Sequence, residues 1–207
     1  MKTLQEYKIL NLDFDTTSAI YQKYIAEHFA SNEIKPLASI ERMWKLGFYR
    51  AMAIVACDCN ESTSDDIMEH LIGYAFFTTC PDGRMMLLDY LAIRKEFRGS
   101  GFGGIFLKEL QRVDCGEELA GILIETEDLL YAQNEDERTE RLRRNSFYRE
   151  NGAGSIDLHT CIYDARYEIW QLPVNGELSK EECREELKKI YHFILPDVPE
   201  GDERVQI

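Results

Sequence analysis

The chain has 207 residues, 44% of them hydrophobic, which suits one domain with a sizeable core and excludes a disordered or fibrous protein. Its 24 Lys+Arg against 38 Asp+Glu give a net charge of −14, a field that repels phosphate backbones and anionic membranes, so neither is expected as a partner. The opening MKTLQEYKIL lacks a signal-type apolar run, no stretch approaches transmembrane length, and six cysteines without a C-x-x-C pair point to reduced thiols; the expected location is cytoplasmic.

Residues 4–12 alternate as a first strand. Asp15, Thr16 or Thr17 can cap a helix whose apolar face carries Ile20, Tyr24, Ile25 and Phe29. After a break at Pro36, a short helix runs through Ile40, Met43 and Leu46. RAMAIVACDC (50–59) and EHLIGYAFFTTC (69–80) read as strands separated by a polar loop at 60–66. A Pro81-Asp82-Gly83 turn leads to MMLLDYLAI (85–93), completing an antiparallel meander.

The pattern then changes. A charged loop, RKEFR (94–98), and a glycine cluster open a helix with Ile105, Phe106, Leu110 and Val113 inward, and GILIET (121–126) follows as a buried strand. A right-handed crossover makes that strand parallel to 85–93. An acidic loop precedes a helix ending near Asn151-Gly152, and RYEIWQL (166–172) reads as a closing strand. Ser179 and Glu182 form a capping box for a last helix with Cys183, Leu187, Ile190, Tyr191 and Ile194 on one face. Residues 197–207 read as a polar tail, and a homodimer is expected if that last helix leaves its apolar face exposed.

Arg98-Gly99-Ser100-Gly101-Phe102-Gly103-Gly104 is the sharpest chemical feature. Four glycines in six positions at a helix start offer successive backbone amides, unobstructed by any Cβ, beside the positive helix end, and Arg98 adds a charged contact. That chemistry suits a phosphate or pyrophosphate. Gly99, Gly101 and Gly104 also match G-x-G-x-x-G, with Glu125 about twenty residues on. A dinucleotide fingerprint, however, has its first glycine ending the strand; here RKEFR intervenes, and the unit follows an antiparallel meander.

Read instead as Arg-x-x-Gly-x-Gly (Arg98, Gly101, Gly103), the segment LLDYLAIRKEFRGSGFGGIFLKEL (87–110) resembles the acetyl-CoA-binding motif of the GNAT superfamily of N-acyltransferases. RLRRNSFYRENGA (141–153) is similar to that family's later helix, and FASNEIKPL (29–37) to an N-terminal segment of one bacterial branch. The resemblance implies an α/β fold: a mixed, mostly antiparallel central sheet with a splayed parallel strand pair, flanked by helices. Residues 1–175 would be the N-acetyltransferase domain, with 176–207 a helix and tail packed on it.

It also implies roles. The backbone of Leu91, Ala92 and Ile93 would bond the pantetheine arm of acetyl-CoA, and the amides of Arg98, Gly99, Ser100, Gly101, Phe102, Gly103 and Gly104 its pyrophosphate. Tyr148 stands at the family's position for the acid that protonates the departing thiolate. Arg141 stands where the family often has asparagine. For the base, Glu125 and Glu127 share a strand face at period two, and Asp89 lies on the neighbouring strand; any of the three could take the amine's proton. The implied function is transfer of an acetyl group from acetyl-CoA to a small-molecule or peptide amine, cationic by the acidity of residues 125–140, without a covalent enzyme intermediate. The alternative is a non-catalytic acyl-CoA-binding regulatory module. The four histidines, at 28, 70, 159 and 192, stand apart from the cysteines at zinc-ligand spacing, so no metal is expected.

Overall fold

The computed structural model describes residues 6–61, 63–112, 119–199 and 201–207; the first residues of the predicted opening strand, Val113 and Cys115 lie outside them. Among the described residues eight strands form one sheet in the order β1-β2-β3-β4-β5-β7-β6-β8, with six α-helices. Contacts divide the chain into two compact units, Met1–Phe77 with Tyr90–Glu109, and Thr78–Asp89 with Leu110–Ile207; strand β4 (Met85–Ile93) contributes to both.

The first unit opens with β1 (Tyr7–Asn11) and α1 (Phe14–His28). The α1 cap is Asp13, not the predicted Asp15, Thr16 or Thr17: Asp13 is still extended, and its Oδ1 accepts from the Thr16 amide at 2.8 Å. Thr16 and Thr17 are already inside the helix, buried. Ile20, Tyr24 and Ile25 face the core as expected; Phe29 is half-buried at the C-cap. Helix α2 (Leu37–Lys45) buries Ile40 and Met43, whereas Leu46, predicted on the same face, is its C-cap and 52% exposed.

Strand β2 (Tyr49–Ala56) pairs antiparallel with β1, Tyr7↔Ala56 to Asn11↔Met52. The predicted loop and early strand start are overturned by helix α3 (Ser64–His70), so that β3 begins at Leu71 and ends at Thr78. Thr63 caps α3, accepting from the Asp66 amide at 3.2 Å, and Asp65 and Asp66 oppose the helix dipole in the first turn. No residue of α3 is buried, so it carries no apolar stripe to betray it. Beyond β4 a short 3-10 turn at Lys95–Phe97 leads into α4 (Phe102–Leu110), which buries Phe106 and Leu110; Ile105 is half-buried.

In the second unit β5 (Gly121–Glu127) pairs parallel with β4 from Met85↔Gly121 to Leu88↔Ile124, where the registered ladder ends. Helix α5 (Glu135–Glu150) is capped by Asn134, with Glu135, Asp136 and Glu137 in its first turn. Strand β6 (Gly154–Ile162), unforeseen in the sequence, is the antiparallel partner of β7 (Ala165–Pro173). A register shift between Ser155 and Leu158, with Asp157 left-handed at φ 54°, breaks the alternation that would have revealed it. Helix α6 (Lys180–Ile194) has the predicted capping box. Cys183, Leu187, Ile190 and Tyr191 are buried in a core with Met85, Leu87, Leu123, Leu158 and Ile169, so the apolar face of α6 is covered within its own unit; Ile194 is half-buried. The polar tail contains β8 (Val205–Gln206), which pairs with β6 at Cys161 and Ile162.

Candidate functional site

Two sets of residues carry the chemistry, one in each unit. In the first unit the glycine cluster forms the turn into α4. Gly99 and Gly101 sit at φ 73° and 87°, left-handed conformations that favour glycine, and a Cβ built on either would meet nothing within 4 Å. The turn is therefore open as well as tightly curved. Helical bonding begins with the Ile105 amide on the Gly101 carbonyl at 3.1 Å, so the amides of Phe102, Gly103 and Gly104 precede the first intrahelical bond. Phe102 is buried edge-on to Tyr7 and Phe97 and anchors the helix start, so what it can offer a ligand is backbone.

Arg98 and Ser100 are exposed beside the turn, and Arg98 Nε donates to the Ile93 carbonyl at 2.9 Å. That bond already uses one of the backbone acceptors predicted for the pantetheine arm. Leu91 and Ile93 are half-buried and Ala92 is buried. Burial lowers the His28 pKa and the charge of Arg98 lowers it further, with Glu27 and Glu96 opposing.

In the second unit Leu123, Glu125 and Glu127 share a face of β5, Leu123 buried and both carboxylates half-buried. Each predicted base has a partner. Glu125 Oε1 accepts from the Tyr191 hydroxyl of α6. Glu127 is held by two arginines of α5, Arg144 Nη1 at 2.9 Å and Arg141 Nη2 at 3.3 Å. Arg141 also donates to the Asp128 carbonyl at 2.6 Å, which explains why a cation stands at this position. Asp89 Oδ2 accepts from Thr78 Oγ1 at 2.7 Å.

Tyr148, in the last turn of α5, is 9% exposed and stacks at a tilt on Phe147; its hydroxyl has no hydrogen-bond partner among the described residues. Burial pushes its pKa up to about 12, with Arg144 pulling the other way, so the phenol keeps its proton well beyond neutrality. Three interactions escaped the sequence reading: Tyr191 on Glu125, the arginine pair on Glu127, and His159 Nδ1 at 2.8 Å from Asp128 Oδ2. A cavity of about 160 Å³ opens beside that His159–Asp128 pair, and none of the predicted site residues lines it. In the first unit Cys59, Asp66 and His70 bring a sulfur, a carboxylate oxygen and an imidazole nitrogen within 4.8 Å of one another, a grouping that the spacing of cysteines and histidines did not reveal.

No family model and no curated protein matches the chain. Solved structures do. An acetyltransferase of the GNAT family from Bacteroides thetaiotaomicron has a TM-score of 0.62 at 16% identity, over 93% of this chain and 99% of that one. Spermidine N-acetyltransferase from Vibrio cholerae, in complex with CoA and spermine, has a TM-score of 0.55 at 11% identity, over 82% and 96%. A GNAT-family acetyltransferase from Desulfovibrio desulfuricans scores 0.52 at 13%, over 82% and 99%. The mixed, mostly antiparallel sheet with its parallel β4–β5 pair is thus the GNAT fold.

Proposed function

We propose that the chain is an acetyl-CoA-dependent N-acetyltransferase acting on a cationic amine. The observation that carries the reading is the open glycine turn at the start of α4, left-handed at Gly99 and Gly101, which presents amides suited to a pyrophosphate. The fold supports it, because the same architecture carries CoA and the polycation spermine in the Vibrio cholerae enzyme. Arg98 would add charge to the pyrophosphate grip, and the β4 backbone at Leu91–Ile93 would meet the pantetheine arm as an added strand.

An acetyl thioester needs little activation, so the protein's task is to position a neutral amine against it. An alkyl ammonium has a pKa of about 10.4, so a proton must first be removed. Among the three predicted carboxylates Glu125 is the one we assign to this step, directly or through water, because Glu127 is spent on Arg141 and Arg144. The amine nitrogen then bonds to the acetyl carbon, the carbon–sulfur bond breaks, Tyr148 delivers its proton to the departing thiolate, and the second proton lost by the nitrogen returns Tyr148 to its phenol through water.

The test is thiol release from acetyl-CoA over a panel of amines: a polycation, a monoamine, a neutral amine, an acidic one and a peptide N-terminus. The polycation should have the highest kcat/KM. Raising salt from 0.1 to 1 M shortens the Debye length from about 10 to about 3 Å and should lower that constant several-fold, while the constant for anionic acetyl-CoA rises or holds level. CoA binding without turnover of any amine would replace the enzyme by a binding module. Fastest turnover of an anionic acceptor would remove the cationic preference.

A further inference from the structure

The chain leaves β2 through a tight turn, in which the Cys59 amide bonds the Ala56 carbonyl at 3.1 Å, and re-enters regular structure at α3. Cys59 is buried, 1% exposed, although it lies in a polar connection. Asp66 and His70 are four residues apart on α3 and so share a helix face. Cys59 Sγ lies 3.4 Å from Asp66 Oδ2, and His70 Nδ1 lies 3.3 Å from Asp66 Oδ1. Zinc bonds of about 2.3 Å to sulfur and about 2.0–2.2 Å to nitrogen and oxygen give tetrahedral edges near 3.6 Å for S···O and 3.4 Å for N···O. The two observed distances run to different oxygens of Asp66, so one of them at most is an edge. One ligand atom from each residue lies within 4.8 Å of the others, and His70 Nδ1, which donates to the Asp66 carbonyl at 2.8 Å, gives up that bond and shifts its proton to Nε2 on ligation.

We propose that Cys59, Asp66 and His70 bind a borderline-soft divalent cation of the Zn2+ type. A thiolate, an imidazole and a carboxylate suit that ion; Mg2+ and Ca2+ take oxygen ligands instead. The carboxylate is held in place from outside, because the amides of Asn60 and Glu61 both donate to Asp66 Oδ2, at 2.8 and 2.9 Å. Asp58 supplies further negative charge on the far side of the ring, its Oδ1 3.9 Å from His70 Nε2, and water completes the coordination. As the metal–sulfur bond forms, the Cys59 proton leaves to buffer. The ion joins the end of β2 to α3, elements both in the first unit, and the proposal does not depend on the acetyltransferase reading.

Full-length protein, kept reduced with a phosphine and stripped with a chelator, is titrated with CoCl2 and then ZnCl2. One Co2+ per chain should bind with a thiolate-to-cobalt charge-transfer band and tetrahedral visible bands, and one equivalent of Zn2+ should bleach both. Cys59→Ser should abolish the charge-transfer band, whereas Cys57→Ser, at the exposed neighbouring thiol, should leave it intact. His70→Asn should weaken Zn2+ by more than the roughly 10–100-fold typical of losing an outer partner. Circular dichroism checks that each variant folds. Should Cys59→Ser fail, Asp66→Asn carries the same comparison, losing the tetrahedral spectrum. A titration without a charge-transfer band, or a band that outlasts whichever of these two variants folds, overturns the proposal and leaves the three side chains joined by hydrogen bonds alone.

Discussion

Replacing Tyr148 by phenylalanine removes one oxygen and tests both the proton the proposal needs and the burial that holds it. The phenol titrates at about 12 rather than 10.0, chiefly because burial disfavours the anion. At about 1.36 kcal/mol per pKa unit, two units amount to roughly 2.7 kcal/mol. Between pH 10 and pH 12 the unfolded chain gives up this proton while the folded protein keeps it, so the unfolded state binds fewer protons and stability falls as pH rises. The Phe variant lacks that term. Its unfolding free energy, relative to wild type, should therefore rise by up to about 2.7 kcal/mol across this window and stay constant below about pH 9. Catalysis gives the second readout: kcat with a saturating amine should fall roughly ten- to a thousandfold, with CoA affinity little changed by calorimetry. Urea melts from pH 8 to 11, by which about 1.4 kcal/mol of that difference has developed, and thiol-release kinetics measure the two effects separately. A variant that turns over within a factor of about two of wild type cannot have lost its general acid. Parallel alkaline melts would show that Tyr148 ionises like a solvated phenol.

Gly101→Val places a branched side chain at φ 87°, a backbone region L residues rarely adopt, beside the amides proposed for the pyrophosphate. Calorimetry should find CoA binding lost or weakened at least tenfold, with NADH bound by neither form; undiminished CoA affinity would move the cofactor elsewhere. Leu187→Ala empties a fully buried position of α6 and should cost about 2–5 kcal/mol. In a chain this size that lowers Tm by roughly 4–20 °C. A loss under about 1 kcal/mol would mean that α6 is an appendage rather than part of the second unit's core.

What was legible in the sequence follows the strength of its periodic signals. Strand β4 was bounded correctly because MMLLDYLAI is an unbroken apolar run after a Pro-Asp-Gly turn. Helix α6 announced itself through Ser179, Glu182 and a one-sided face. Helix α3 did not, since a seven-residue helix with nothing buried is held by its cap and first-turn acids, which read as a loop. Strand β6 was hidden by the irregularity at Ser155–Leu158. The glycine turn was recognisable because its chemistry is local. The fates of Glu125 and Glu127 were not, because their partners lie 66 residues away at Tyr191 and 14 to 17 residues away at Arg141 and Arg144. The Cys59–Asp66–His70 grouping escaped because a carboxylate stands where a search for cysteine–histidine spacing expects nothing.

The two residues of β8 have a consequence for how copies of this protein meet. Beyond β7 the sheet ends in β6, a nine-residue strand whose outer side would otherwise present a continuous row of unpaired amides and carbonyls. One end of that row is occupied by Val205 and Gln206, reinforced by the Tyr163 amide on the Arg204 carbonyl at 2.6 Å, and the other is bent at the Ser155–Leu158 irregularity. Both features shorten the regular part of that edge. Losing Arg204–Gln206, or fusing a partner that pulls them away, would strip one of these two guards and turn the rim of the sheet into an adhesive border for other chains.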